Sequence, residues 1–150
     1  MRFPRTVTAL VLAATGALFV AQPATAAAPP VQFTKIQYDS PGPDTRTNAS
    51  INGEWFRITN MTRRNINLAG WTVRDTARHT YTLRGYLLAK QSLIVRTGRG
   101  TDGSPAGQRY WGSRAYVWNN DRDTATLRDA AGGPVDTCAW TRPAASTMCG

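Results

Sequence analysis

Hydrophobic and polar positions alternate along much of the chain after residue 30, and this alternation predicts β-strands. The stretch "GEWFRITN" sets Phe56 and Ile58 against Trp55, Arg57 and Thr59, as in a half-buried strand. Similar short runs occur in "FTKIQY", "INLAGWTVRD", "HTYTL", "SLIVRT", "DTATLRD" and "PVDTCAW". No stretch after residue 30 keeps the 3.6-residue helical period. About seven short strands separated by turn signals therefore predict an all-β sandwich or barrel.

Two glycine-containing stretches refine this pattern. Gly70 shifts the alternation within "INLAGWTVRD" and predicts a bulge or bend, after which Trp71 is expected to be buried in a central strand. The stretch "DAAGG" lies between strands predicted at 123–128 and 134–140, and it supplies the positive-φ positions of a hairpin turn.

The first 26 residues have a different character. Arg2 and Arg5 precede an apolar run, and small residues follow in "ATA" at 24–26 and "AAA" at 26–28. This is the pattern of a secretory signal peptide cleaved after Ala26 or Ala28, and the apolar run is shorter than the ~20 residues of a membrane span. We expect a secreted, extracellular protein with no membrane span after cleavage, in which residues 31–141 form one domain.

Net charge and cysteine content indicate which partners the protein favours and whether it has a disulfide. The formal charge is +9, with 16 Arg and only two Lys, and loss of Arg2 and Arg5 lowers it to +7. A basic secreted domain favours anionic partners, although basic charge also serves solubility alone. Export and an even count predict a disulfide between Cys138 and Cys149, which would tie the tail 142–150 to the last strand.

The ordered set of motifs resembles the lamin tail domain. It consists of "GEWFRITN", "INLAGWTVRD", "LLAKQSLIVRTG" and "RYWGSRAYVWNNDRDTATLRDAAGGPVD", and it spans about residues 31–140. The chain has no rod or coiled coil, so it resembles the stand-alone form found in secreted bacterial proteins. The resemblance implies an immunoglobulin-like β-sandwich that binds or scaffolds, without catalytic residues or a cofactor.

The stretch "WNNDRD" at 118–123 raises the question of a metal loop. Asn119, Asp121 and Asp123 alternate, but no glycine stands at the sixth position and no glutamate closes the loop, so a turn is favoured over calcium. A glycosidase pair from Asp121, Asp123 and Glu54, or a triad through His79 and Asp75, is favoured still less. We therefore expect no catalytic residues, metal or cofactor, and a small secreted hydrolase is the weakest alternative.

Three basic groups are the candidate ligand-binding residues. They are Arg63 and Arg64 in the turn "MTRRN", Arg99 with its basic neighbour Arg96 after a strand, and Arg109, Trp111 and Arg114 in "RYWGSRAYVW". Arg96 belongs to the second group only as a neighbour of Arg99 and is not itself a candidate. Arginines meet phosphates and aromatic rings stack on bases or sugars, whereas the alternative places Trp111 and Trp118 in the core. The leading hypothesis is a monomeric binding module for an anionic polymer, such as nucleic acid or cell-surface material, or for an extracellular protein. A purely structural accessory domain is the alternative.

Overall fold

The computed structural model describes residues 27–150, and the predicted signal peptide lies outside that range. The described chain forms two packed β-sheets and one helical turn, α1 (Asn48–Ile51). The strands are β1 (Val31–Gln37), β2 (Trp55–Asn60), β3 (Ile66–Asn67), β4 (Thr72–Arg74), β5 (Thr80–Thr82), β6 (Tyr86–Leu87), β7 (Ser92–Arg96), β8 (Gln108–Tyr110), β9 (Asp123–Arg128), β10 (Pro134–Trp140) and β11 (Ser146–Met148). This nearly all-β architecture confirms the predicted β-sandwich.

Strand order defines the two layers. One sheet has the order β11-β1-β2-β7-β8, the other has the order β10-β9-β4-β5, and β3 and β6 form a separate pair. The pairings are antiparallel except for β7 with β8, which run parallel after the Gly- and Pro-rich loop at 97–107. No helix within residues 27–150 is long and apolar enough to cross a membrane.

The core lies between the sheets and is filled by the inward-facing half of each alternating strand. Strand β2 shows this most simply, since Phe56 and Ile58 are fully buried while Arg57 and Thr59 are only half-buried. Aromatic rings make up the centre of the core. Trp118 packs edge-on against Phe56, Trp111 and Trp140, with ring centroids 5.8–6.1 Å apart.

Both predicted turn features are present. Gly70 has φ +80°, a conformation that glycine adopts without strain. It lies in the turn that separates β3 from β4. The hairpin strands β9 and β10 have the predicted bounds of 123–128 and 134–140. Asp129 and Gly133 close their turn through a backbone bond of 2.9 Å, and Gly132 has φ +85°.

Trp71 departs from the prediction. It is half-buried and packs against the margin of the core, in the turn that precedes β4. The reason is that Leu68 and Val73 on either side take the fully buried positions, and the turn holds Trp71 through its N–H bond to the Leu68 carbonyl. The expectation of a buried tryptophan in a central strand was therefore wrong.

The C-terminal tail adds a strand to the sandwich. A disulfide joins Cys138 in β10 to Cys149, with the Cα atoms 5.6 Å apart. Strand β11 pairs with β1, so that Met148 lies opposite Lys35. The disulfide thus connects the two sheets. Residues 142–150 contribute β11, an edge strand of the five-stranded sheet.

Candidate anion-binding site

Carboxyl groups in this domain hydrogen-bond to the protein's own N–H groups. Asp136 accepts from the Phe33 N–H at 2.7 Å, and Asp102 accepts from the Tyr110 N–H at 3.0 Å. Backbone or amide donors are similarly bonded by Asp39, Glu54, Asp75, Asp123 and Asp129. Within residues 27–150, the only contact shorter than 4.0 Å between a basic and an acidic side chain is His79–Asp75. The lysine and arginine side chains of that range therefore stand without ion-pair partners.

Glu54 is the most deeply buried of these acids. Its side chain lies just before β2 and accepts a hydrogen bond from the Val117 N–H at 2.9 Å. Burial raises the pKa of Glu54 to about 8, with a small further rise from the charge of Asp44, while the N–H groups of Val117 and Trp118 oppose the shift. Glu54 thereby fixes the segment around Val117 to the start of β2.

The "WNNDRD" stretch forms a turn leading into β9, as the sequence predicts. The carboxylate of Asp123 accepts bonds from the Thr76 hydroxyl at 2.6 Å and from the N–H groups of Thr76, Asn119 and Thr124. Its oxygens therefore act as caps for the surrounding backbone. In the described part of the chain, no group of three or more His, Cys, Asp or Glu side chains is placed to hold a metal ion.

His79 and Asp75 close the hairpin between β4 and β5. The two oxygens of Asp75 bond the His79 N–H at 2.7 Å and the His79 Nδ1 at 2.6 Å. The histidine therefore caps this hairpin rather than forming part of a catalytic site.

The first predicted basic group lies far from the second. Arg63 and Arg64 follow the C-terminal end of β2, whereas Arg99 follows the end of β7 that pairs with the start of β2. About six residues of β2 separate these ends, which is roughly 20 Å of strand. Hence the three groups do not form one basic face.

Two residues predicted from separate groups do converge. Arg99 and Arg114 line one small cavity of about 120 Å³, together with Arg46, Asn48, Ile51 and Ser113. The lining contains three arginines and no carboxyl group. Sequence reasoning missed Arg46, because this residue stands alone in a loop rich in Pro and Gly and no local pattern connects it to positions 99 and 114.

Hydrogen bonds hold the backbones that carry these arginines. The Asn48 side chain accepts from the Arg99 N–H at 2.8 Å and donates to the Arg99 carbonyl at 3.0 Å. The Arg46 N–H donates to the Tyr116 hydroxyl, which also bonds Ser50 at 2.6 Å. These bonds cross-link the backbone at Arg46 and Arg99 to α1 and to the segment that contains Tyr116.

The remaining candidates, and Arg96, have other surroundings. Arg109 donates to the Arg84 carbonyl, and Arg96 donates to the Gln108 side chain at 2.6 Å and to the Asn52 carbonyl at 2.8 Å. Trp111 is half-buried, and its ring lies 5.6–6.4 Å from those of Phe56, Tyr81 and Trp118. The structure therefore favours a packing role for Trp111 over a stacking platform.

A larger groove runs beside β8. It encloses about 590 Å³ between the segments 84–88 and 102–109, with Arg84, Arg109 and Asp102 among its lining residues. The side chains of Tyr86 and Leu88 on its border are 63% and 54% exposed. This groove combines apolar surface with charge of both signs, unlike the small arginine cavity.

Fold and site together define an immunoglobulin-like β-sandwich that displays unpaired arginines. The sequence model of the Lamin Tail Domain matches residues 24–142. The chain belongs to this family, which is a family of non-enzymatic immunoglobulin-like modules. No curated protein matches the chain significantly.

Proposed function

We propose that this protein is an exported, non-catalytic binding module whose partner is an anionic polymer at or outside the cell surface. The observation that carries this proposal is the separation of charges in residues 27–150. Seven of the nine acids accept hydrogen bonds from backbone or amide N–H groups, and no lysine or arginine is in an ion pair within 4.0 Å. Such uncompensated guanidinium groups attract phosphate, sulfate or carboxylate groups over about a Debye length.

Two features support export. The N-terminal residues carry the signal-peptide pattern, and Cys138 and Cys149 form a disulfide, as is common in oxidising compartments. N-terminal sequencing of protein recovered from culture medium tests this part, and the expected first residue is Ala27 or Pro29. Protein that keeps Met1 and stays with the cells would contradict export.

Salt-dependent retention tests the polymer partner. The protein is applied to immobilised heparin and immobilised double-stranded DNA, with a sulfonate exchanger and a neutral polysaccharide resin as controls. Contacts with a polymer release its condensed counterions. We therefore expect the protein to elute from at least one of the two polymer resins, heparin or DNA, at clearly higher salt than from the sulfonate exchanger. Elution from both polymers at or below the salt needed for the sulfonate exchanger would indicate that the basic charge serves only solubility. That result would favour a purely structural accessory domain.

An extracellular protein is the second candidate partner. The observation that favours it is the 590 Å³ groove bordered by exposed Tyr86 and Leu88, since tyrosine is among the residues that most often dominate binding energy in protein interfaces and exposed apolar surface marks interaction sites. To test this candidate, the parent and the groove variant Tyr86→Ser/Leu88→Ser are each used to capture cell-surface proteins at high salt. A true partner should be captured by the parent and lost with the variant. A protein captured equally by both would contradict a role for the groove.

A further inference from the structure

We propose that Arg46, Arg99 and Arg114 form a binding site for a single tetrahedral oxyanion group, a sulfate or phosphate monoester. This inference rests on the proposed function, because it names the chemical group that the anionic partner presents. These three arginines line one cavity although they are up to 68 positions apart in sequence (from 46 to 114).

The charge of the cavity selects an anion. Three arginines line it, and the other lining residues are Asn48, Ile51 and Ser113, which are uncharged. The carboxyl groups of Asp44 and Glu54 lie on the same stretch of chain but are not in the lining. Arginine retains its charge at any physiological pH and presents a fork of N–H donors that matches oxyanion geometry.

The size of the cavity limits what enters it. Its volume of about 120 Å³ corresponds to roughly four water molecules at ~30 Å³ each in the liquid. A sulfate or phosphate group fits within that volume together with part of its hydration water. A monoester group projects from a polymer and enters such a cavity from one side, whereas a phosphodiester continues on both sides of the phosphorus. The geometry therefore favours a monoester over a nucleic-acid backbone.

The frame around the cavity makes the arrangement persistent. Asn48 and Asn52 both donate to the Arg99 carbonyl, at 3.0 and 2.9 Å. The segment that carries Arg114 is fixed by the Ser113 N–H, which donates to the Thr97 carbonyl at 3.0 Å. A site whose backbone is fixed before binding loses less conformational entropy when the ligand arrives.

Titration calorimetry with sodium sulfate and sodium phosphate, at constant ionic strength set by chloride, tests the site directly. Both ions are expected to bind the parent protein, and Arg99→Gln/Arg114→Gln is expected to weaken binding by at least about tenfold. One charge-assisted hydrogen bond corresponds to a change of that size. The matched control is Arg63→Gln/Arg64→Gln, which removes the same charge at the other end of β2 and should change the affinity by less than about threefold. Melting curves of the two variants check that both are folded.

A second arm separates this site from the general attraction of polymers. A sulfated oligosaccharide is expected to lose affinity in Arg99→Gln/Arg114→Gln more than in the control pair, and double-stranded DNA is expected to lose similar affinity in both. Equal losses of sulfate and phosphate binding in the two variants, or no binding of either ion to the parent, would overturn the site. Polymer binding that persists in that case would leave the proposed function standing. Small-anion binding at the site without polymer retention would overturn the proposed function alone.

Discussion

At the scale of single residues, the chain's only glutamate has an unusual position. Glu54 is buried at the start of β2, and one of its oxygens accepts the Val117 N–H. Its elevated pKa means that the folded state prefers the protonated acid, while the unfolded chain has the ordinary value of 4.5. Between these two values the folded protein binds more protons than the unfolded one, so stability falls as pH rises.

The first prediction concerns this titration. The free energy of unfolding should decline from about pH 4.5 to about pH 8, by up to about 1.4 kcal/mol per pH unit from Glu54 alone. In Glu54→Gln the side chain is neutral throughout and still offers an oxygen to the Val117 N–H. The difference between the urea-unfolding profiles of parent and variant isolates this group. As pH rises, the free energy of unfolding of Glu54→Gln should increase relative to that of the parent. Parallel profiles would contradict the prediction.

Two tryptophans provide a second prediction at this scale. Trp118 is 3% exposed and touches three aromatic rings, whereas Trp71 is half-buried beside a turn. Trp118→Ala should cost about 3–5 kcal/mol of unfolding free energy, because it removes a large buried side chain and leaves a cavity. Trp71→Ala should cost less, within the roughly 0.5–3 kcal/mol of most substitutions. Chemical denaturation of both variants measures the order, and a larger loss for Trp71→Ala would reverse the assignment of burial.

At the scale of elements, the long alternating strands could be predicted from the sequence and three of the short ones could not. Strands β2, β9 and β10 have six or seven residues and show their period directly. Strand β6 has two residues and β8 and β11 have three, and none of them lies in a recognisable alternating run. These three exist because their partners lie beside them in space, and a local pattern contains no such information.

The third prediction concerns the last of these short strands. The disulfide closes a loop with a sequence separation of 11, and the chain-entropy model assigns such a loop about 3 kcal/mol. Cys138→Ala/Cys149→Ala should therefore lose about that much unfolding free energy. Amide exchange should accelerate in β11 and remain slow between β1 and β2.

The reduced parent protein is the control for that experiment. It keeps both sulfur atoms in place, and so it separates the loss of loop closure from the loss of packing at Cys138, which is 5% exposed. Agreement between the reduced parent and the double variant is the expected result. A double variant as stable as the oxidised parent would show that β11 is held by its pairing with β1 alone.

At the scale of the whole molecule, the sequence yields the net charge but not its distribution. Arg99 and Arg114 could be recognised as candidates because each lies in a basic loop, yet nothing local indicates that they share a cavity. Arg46 joins them because Asn48 and Tyr116 bring three separate loops together. Arg63 and Arg64 looked equivalent in the sequence and lie at the other end of β2. Placement of charges depends on tertiary contacts, which hydrophobic periodicity does not encode.

The pairing of β1 with β11 places both ends of the domain at one end of the sandwich, opposite the arginine cavity. Val31 at the start of β1 lies opposite Asn60, and Cys149 after β11 bonds the Thr34 carbonyl, so the chain enters and leaves the domain towards the same pole. Residues 46, 99 and 114 lie towards the opposite pole, beyond the start of β2. A neighbour joined through either terminus would therefore lie at the opposite end of the domain from the arginine cavity. The same adjacency of termini suits the domain to insertion as a cassette within another chain.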